Sequence, residues 1–323
     1  MAQNLRRPRA MTSFIKACEV WVPGADPSLL EFDHGLFGEA RVLGHVTRGM
    51  CFGRGEGLPG RAWDEGRPIV LKDLQHSDFR RGAAAAAAGI HAAVALPLFA
   101  DDHLNAVLVL FCGEPGAAAG AIELWHNNPR VSTDMTLVDG HFGAGGEQLE
   151  ALTRDAFLPR GVGLPGMAWQ RGAAVLIDDL GRSSRFLRAE ETRALGIRRG
   201  LALPCPSLGD DQHVLNLLSA PATPIARRIE SWAPNADGSA LQRLFGHCEH
   251  LGDLPCGDDG PALGADTGCI ARAFASAVPQ VSDDAAVEPQ GLGAAAREAG
   301  LGSLLAIPLF SDGGVGEVVV LYF

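Results

Sequence analysis

Four sequence markers recur three times along this chain, in the same order and roughly 105 residues apart. They are a Glu-x-Trp element, a Phe-Gly pair, a Gly-Leu-Pro-Gly-like run and an apolar stretch with a proline near its end. The three Glu-x-Trp elements are Glu19–Trp21, Glu123–Trp125 and Glu230–Trp232. A period of this length is too long for a solenoid repeat and has the size of an independent domain. The repeat therefore predicts three similar domains in tandem.

The copies meet in segments rich in proline, glycine and alanine, at 113–120 and 220–225, which have the composition of linkers. The third copy keeps the markers least well and is the most acidic, with thirteen acidic and five basic residues. The predicted organisation is a polar N-terminal tail over 1–11, a first domain over 12–112, a second over 119–219 and a degenerate third over 225–323.

Each copy has the pattern of short strands and short helices followed by a hairpin. In the first copy a strand is predicted over 17–22, and a short helix is predicted to begin at Pro59 and to end at Gly66. An alanine-rich helix over 79–88 precedes two apolar strands within 92–112. This order predicts an α+β fold in which helices cover one face of an antiparallel sheet.

Composition and charge exclude several classes of partner. The net charge is −11 and only two residues are lysine, so the chain lacks the concentrated basic surface that nucleic acids and anionic membranes require. No apolar run has the length of a membrane-spanning helix, and the N-terminus has no secretory signal. Seven cysteines without a Cys-x-x-Cys pair indicate reduced thiols. We therefore expect a cytoplasmic protein.

The run from Gly55 to Pro68 resembles the signature of the GAF-domain family. The second copy repeats the run over 161–172, and the third keeps Asp283-Asp284 and the closing hairpin but not Leu-Pro-Gly. The resemblance covers the chain from about residue 12. It implies PAS-like α+β sensor domains that enclose a small-molecule pocket and regulate an attached output domain. No output domain follows the third copy, so a separate output protein is the expected partner.

Residues needed for the chemistries of particular GAF subfamilies are incomplete here. Phe186 and Glu190-Glu191 approach a cyclic-nucleotide motif, but the second and third copies contain no lysine to complete it. The regions that would attach a bilin have no cysteine. Cys269 is displaced by one position from the cysteine turn of the free methionine sulfoxide reductases, and we interpret it as a buried thiol.

The richest polar cluster is the run His247-Cys248-Glu249-His250. If the run continues a strand, Cys248 and His250 lie on one face and could chelate a metal, although a closed zinc site needs four ligands. A solvated strand end is the favoured interpretation, so no metal is predicted, with Cys248 and His250 as the candidate ligands otherwise. The alternative function is a redox-dependent or metal-dependent sensor or enzyme that uses this cluster.

The leading prediction is a non-enzymatic sensor or regulatory protein that binds a small molecule, a protein partner or both, and the sequence requires no cofactor. The ligand pocket is expected in the first copy, which keeps the family signature most fully. Alanines 83–88 leave volume for a pocket or, alternatively, allow the helix to pack closely on the sheet. Trp63 and its counterpart Trp169 are predicted to pack in the core. The candidate pocket residues are Trp63, Asp73, His76, Phe79 and His91.

Overall fold

The structure is a computed structural model that describes residues 13–77, 79–113, 120–143, 145–205, 207–264, 268–289, 291–311 and 313–323. These residues form three antiparallel sheets with helices packed on them, so the predicted α+β class is confirmed. The predicted tail over 1–11 and most of the first linker lie outside the described residues. No helix in the described ranges has the length and the apolar character needed to cross a membrane.

The first sheet has the strand order β3-β2-β1-β6-β5-β4, in which the closing hairpin lies beside the first strand. Its strands are β1 (Ile15–Pro23), β2 (Leu29–Leu36), β3 (Cys51–Gly53), β4 (Ile69–Leu71), β5 (Ala92–Ala100) and β6 (His103–Cys112). Its helices are α1 (Arg41–Thr47), α2 (Gly57–Glu65) and α3 (Gly82–Ala87).

The second sheet repeats this order as β9-β8-β7-β12-β11-β10. Its strands are β7 (Gly120–Asn127), β8 (Asp134–His141), β9 (Leu158–Pro159), β10 (Val175–Ile177), β11 (Arg199–Cys205) and β12 (Gln212–Ser219). Its helices are α4 (Glu147–Arg154), α5 (Gly163–Arg171) and α6 (Ala189–Ala194).

The third sheet has the order β15-β14-β13-β19-β18-β17, and β16 pairs with the far end of β14. One short strand, β15, and a 3₁₀ turn, Gly257–Asp259, stand where the other two units carry α1 and α4, and β16 is the counterpart of β3 and β9. The strands are β13 (Arg228–Pro234), β14 (Leu241–Cys248), β15 (Gly252–Asp253), β16 (Ala262–Leu263), β17 (Gln280–Ser282), β18 (Leu304–Ser311) and β19 (Gly314–Tyr322). The helices are α7 (Gly268–Ser276) and α8 (Leu292–Glu298), and a second 3₁₀ turn covers Ala285–Val287.

The ends of the helices follow from local chemistry, with two corrections to the sequence prediction. Gly66 has φ of 62° and caps α2 in the left-handed conformation, as predicted. The helix begins at Gly57, so Pro59 lies in the first turn, where its missing N–H leaves no hydrogen bond unmade. The alanine-rich helix begins only at Gly82, because Arg81 has a non-helical backbone and its side chain is held by a buried carboxylate described below. Phe79 therefore lies in the loop before α3.

Each sheet contributes to two cores. One face packs on its own helices, and the other face meets the other two sheets in a shared central core. Leu108, Leu215 and Val319, at equivalent positions of β6, β12 and β19, belong to this central core and are fully buried. Burial on both faces explains why these strands are almost continuously apolar, since an antiparallel sheet with one solvated face would alternate.

The three sheets contact one another head to tail and close a ring within one chain. Edge strand β4 contacts β7 and β8 of the second sheet, and Lys72 pairs there with Asp139. At the next seam the backbone N–H of Ala174 donates to Glu317 of the third sheet at 2.8 Å. Strand β17 contacts β2, where His34 Nε2 lies 2.9 Å from the carbonyl oxygen of Pro279. Because the third unit contacts the first again, the contact surfaces of all three units are covered within the chain.

The seam between the first and second units contains a histidine that predicts acid sensitivity. His213 is buried, and its ring lies 4.8 Å from that of His126. Burial, then His126, then Arg67 of the first unit lower the pKa of His213 from 6.5 to about 4, and Asp211 opposes them. The folded protein thus binds this proton less readily than the unfolded chain, so stability is lost as the pH falls from about 6.5 to about 4.

We expect this group to cost roughly 3 kcal/mol of unfolding free energy by pH 4. Denaturant unfolding of the wild type and of His213→Gln between pH 7 and pH 4 measures the effect, and the variant should show a flatter pH dependence. If the unfolding free energy of both proteins fell equally with pH, His213 would not be the group responsible.

Candidate functional site

A cleft of about 490 Å³ opens in the first unit between β3, the start of α2 and the loop that follows β4. One part of its wall is apolar and consists of Met50, Phe52, Leu58, Leu71 and Phe79. The other part carries charge and hydrogen-bonding groups, and it consists of Glu56, Arg61, His76, Ser77, Arg80 and Arg81. The cleft therefore combines an apolar surface with an excess of cationic side chains.

A buried ion pair forms the inner end of the cleft. Arg81 is 5% exposed and makes a two-pronged contact with the fully buried Glu19, in which Nη2 donates to Oε2 at 3.2 Å. The Thr47 hydroxyl donates to Glu19 Oε1 at 2.7 Å, and the indole N–H of Trp21 donates to Oε2 at 3.1 Å. These donors satisfy the carboxylate, and the Arg81 guanidinium also lies over the Phe79 ring, 4.8 Å from its centroid. A fully bonded pair of this kind is rigid and positions the loop before α3.

An exposed ion pair spans the mouth of the cleft. Arg80 Nη1 lies 3.6 Å from Glu56 Oε1, so the loop before α3 is linked to the residue that precedes α2. Glu56 also accepts a hydrogen bond from the backbone N–H of Gly53 at 3.2 Å. Both partners are largely exposed, so the pair is weak and open to competition by an incoming anion.

The structure brings two of the five predicted pocket residues to this cleft, His76 and Phe79. Asp73 is exposed and lies beside the cleft, where its carboxylate is 2.8 Å from His76 Nδ1, and this hydrogen bond lowers the Asp73 pKa. Trp63 is half-buried on α2 and packs against the core of the first unit, with the Arg54 guanidinium 6.0 Å from the centroid of its ring. His91 is exposed and directly precedes β5. None of alanines 83–88 lines the cleft.

Sequence reasoning missed the three arginines of the cleft, Arg61, Arg80 and Arg81. A usable signal existed for Arg81, because Arg188 stands at the same place before α6. Arg188 pairs with Glu123 as Arg81 pairs with Glu19, and its Nη2 donates to Glu123 Oε2 at 3.0 Å.

The second unit keeps the buried ion pair, and its cleft carries a different set of charged side chains, namely Arg171, Arg182, Arg185, Arg199, Asp178 and Asp179. Its cleft, about 890 Å³, includes Met167 where the first unit has Arg61 and Ser183 where it has His76. The ion pair at the mouth is replaced on both sides, because Val162 stands for Glu56 and Leu187 for Arg80. Both replacements are exposed apolar side chains. The arginines of this cleft thus stand at positions other than those of Arg61 and Arg80, and two aspartates lie among them.

The third unit supplies the cation for its buried carboxylate from other elements. In each unit a glycine follows the last helix, and the residue eight positions before that glycine is Arg81 in the first unit and Arg188 in the second. In the third unit this residue is Leu292. Glu230 is paired instead with Arg243 of β14, whose Nη2 is 3.2 Å from Oε1, and more distantly with Arg228 at 3.8 Å. Burial raises the Glu230 pKa, and the two arginines oppose that shift.

A carboxylate of the chain itself occupies the start of α7. Glu288 stands where the first and second units have Ser77 and Ser184, both of which line their clefts. Its Oε1 accepts a hydrogen bond from the backbone N–H of Cys269 at 2.6 Å, and the side chain is buried. Burial, then the negative charge of Glu288, raises the pKa of the Cys269 thiol to about 11. The predicted buried thiol is what the structure shows.

The two candidate metal ligands of the third unit, Cys248 and His250, lie in different environments. Cys248 is buried at the end of β14, and His250 is exposed in the turn that follows. Glu249 between them binds Arg199 of the second unit through two contacts of 2.8 Å. Within the described ranges, neither Cys248 nor His250 joins a group of three metal-ligating side chains.

Comparisons with known structures return partial matches. The GAF domain of A. aeolicus nlh2 in an inactive state is 16% identical, with 31% of this chain and 59% of that chain covered and a TM-score of 0.26. Free methionine-R-sulfoxide reductase from Neisseria meningitidis, in complex with its substrate, is 17% identical, with coverages of 32% and 53% and a TM-score of 0.24. NreA of Staphylococcus aureus, mutated in its nitrate-binding site, is 13% identical, with coverages of 31% and 76% and a TM-score of 0.26. The chain thus spans little more than half the length of the first two.

The comparison with curated protein sequences found no match. A scan against family models matches residues 25–125, from the turn after β1 into β7, to the GAF domain. This match identifies residues 25–125 as a GAF domain, and the helix-covered antiparallel sheet of the first unit is its fold.

Proposed function

We propose that the chain is a cytoplasmic, non-enzymatic sensor or regulatory protein built from three tandem GAF-like domains over 12–112, 119–219 and 225–323. The common strand order of the three sheets supports this division. In this proposal the working site is the cleft of the first domain. Its ligand is a small molecule with an acidic group and an apolar body, and a separate output protein responds to its binding.

The observation that carries the proposal is the charge pattern of the first cleft. Three arginines and His76 line it together with one carboxylate, Glu56, and five apolar side chains complete the wall. Arg81 is neutralised by the buried Glu19, whereas Arg61 and Arg80 make only exposed ion pairs of 3.7 and 3.6 Å, with Glu65 and Glu56, for which a ligand can compete. Ligand sites are mostly apolar with a few polar groups that fix orientation, and arginine suits a carboxylate because its planar fork makes two parallel hydrogen bonds.

The third domain supports the same ligand class. There Glu288 places a carboxylate against the N-terminal backbone of α7, at the position that Ser77 holds in the first domain. In the first domain the start of α2 faces the cleft, and position 77 is a serine without a carboxylate. The acidic group of a ligand can therefore occupy, at α2, the place that the Glu288 carboxylate occupies at α7. The positive end of a helix favours an anion at this point.

The ion pair at the mouth suggests how binding would be communicated. A ligand carboxylate that binds Arg80 competes with Glu56 for the same guanidinium, and the link between α2 and the loop before α3 is then broken. The third domain has no such role in this proposal, because Glu288 already occupies its site. Redox signalling through Cys269 is disfavoured, since a thiol with a pKa of about 11 carries little thiolate at neutral pH.

We expect short aliphatic and aromatic monocarboxylates to bind the full chain and their uncharged amides not to bind. Isothermal titration of both series, with thermal unfolding as a second readout, measures this difference. Arg61→Gln should weaken carboxylate binding about tenfold, the effect of losing one hydrogen bond to a charged group.

Arg182→Gln is the matched control, because Arg182 lines the cleft of the second domain and should not affect binding. Equal binding of acids and amides, or an equal loss in both variants, would refute the assignment of the first cleft.

A further inference from the structure

Three potential metal ligands converge at the seam between the second and third sheets. Asp178 directly follows β10 of the second sheet, whereas His247 lies in β14 and Asp253 in β15 of the third. His247 and Asp253 are register partners across their two strands, so their side chains are neighbours on one face. One ligand atom of each of the three residues lies within 4.8 Å of the others.

This spacing is close to that of ligands around a single ion. Bonds of about 2.0–2.2 Å place the ligand atoms of one ion within roughly 4 Å of each other. Asp178 and Asp253 are both exposed, so a small side-chain rotation of either closes the remaining distance. His247 Nδ1 already lies 3.0 Å from Asp253 Oδ1.

The orientation of the His247 imidazole shows which of its nitrogens can bind an ion together with Asp253. The His247 side chain is 12% exposed, and Nε2 is buried without a hydrogen-bond partner among the described residues. Nδ1 is the nitrogen that faces Asp253, so an ion that replaces the Nδ1 proton can be shared by this nitrogen and the carboxylate, whereas Nε2 lies on the other side of the ring.

The surroundings favour a cation. The three residues border a cavity of about 680 Å³, which is also lined by Glu317 and by a single cation, Arg171. Glu317 is engaged by the backbone N–H of Ala174 and by Ser231, so it contributes charge rather than a ligand. Cys256 lines the same cavity outside the group of three.

We propose that Asp178, His247 and Asp253 bind one divalent transition-metal ion of the Zn²⁺ type, which links the second sheet to the third. An imidazole nitrogen with two carboxylate oxygens suits Zn²⁺ and similar ions, whereas Ca²⁺ and Mg²⁺ prefer sites made only of oxygen. Three protein ligands leave at least one coordination position of the ion for a water molecule. Because the ligands come from two units, the ion stabilises the closed seam and raises the stability of the full chain.

The test uses the full chain, freed of metal by a chelator and titrated with Zn²⁺ by isothermal calorimetry. We expect one ion per chain, with affinity at least about a hundredfold lower in His247→Ala and about tenfold lower in Asp178→Asn. Zn²⁺ should also raise the melting temperature of the wild type more than that of Asp178→Asn. Asp178 is exposed, so this second variant should fold even if His247→Ala does not.

His250→Ala and Cys256→Ser are the matched controls, and both should bind like the wild type. Substitution with Co²⁺ should give visible bands without a sulfur-to-metal charge-transfer band, because no thiolate is a ligand. No saturable Zn²⁺ binding, unchanged binding in Asp178→Asn, loss in either control, or a strong sulfur charge-transfer band would each overturn the proposal.

Discussion

Arg188→Leu lowers the free energy of unfolding by about 3–5 kcal/mol, because it leaves the carboxylate of Glu123 buried without its cation. Glu123 is fully buried and would keep hydrogen bonds from Trp125 and from Asn216, at 2.9 and 3.1 Å. Those neutral donors do not compensate a desolvated negative charge, whereas Arg188 binds both carboxylate oxygens. Urea or guanidinium unfolding of the full chain measures the loss.

The third unit provides the rescue variant for this experiment. Arg243 is the register partner of Trp232, and the register partner of Trp125 is Leu137. Leu137→Arg combined with Arg188→Leu copies the arrangement of the third unit, so we expect it to recover part of the lost stability.

Replacement of both charges, Glu123→Leu with Arg188→Leu, should also be less damaging than Arg188→Leu alone, since no unpaired charge is left buried. If the three variants were equally unstable, the loss would come from packing and not from the unpaired charge.

A second large loss of stability is expected for Trp125→Ala, which lowers the free energy of unfolding by about 3–5 kcal/mol. The side chain is fully buried at the centre of the second sheet. Its loss leaves a large cavity beside the Glu123–Arg188 pair and removes the guanidinium's contact with the indole ring, whose centroid lies 5.5 Å away. It also removes an N–H donor from Glu123.

Trp169→Ala is the control, because the same residue type is replaced in the same unit. Trp169 is half-buried on α5 and packs against the core from outside, with Arg160 5.7 Å from its ring. Trp169→Ala should lower the free energy of unfolding clearly less than Trp125→Ala, because the half-buried side chain removes less apolar surface from water on folding. Equal losses for Trp125→Ala and Trp169→Ala in denaturant unfolding would show that the two sites are equally important to the core. Trp63 and Trp169 were both predicted as packing residues, and the structure limits that role to half-buried positions.

Much of the local structure could be predicted because it depends on residues close together in the chain. Gly66 ends α2 because only a residue that tolerates positive φ suits that position. The closing hairpins follow from two apolar stretches joined by a tight turn, as in β5 and β6. The extent of α3 could not be predicted, since its start depends on Arg81 binding Glu19, 62 positions away.

The candidate cleft was only partly predictable for the same reason. His76 and Phe79 are two of the five candidate pocket residues predicted from the sequence, and both reach the cleft. Arg61 and Arg80 lie on an exposed helix face and an exposed loop, where the sequence pattern is that of ordinary surface residues. Their common orientation toward one cavity depends on how α2 packs against the sheet.

The sequence by itself determined the threefold repeat, with its three Glu-x-Trp elements, and the α+β class, because each depends on patterns within a short stretch or on self-similarity. Only the tertiary structure decided which cation pairs with each glutamate. Arg188 lies 65 positions from Glu123, whereas Arg243 lies on the strand that follows Glu230, and both satisfy the same need to neutralise a buried carboxylate. The tertiary structure also decided that His247 meets Asp178 and not Cys248 or His250. Contacts between distant segments are set by how sheets and helices pack, and packing depends on the whole chain at once.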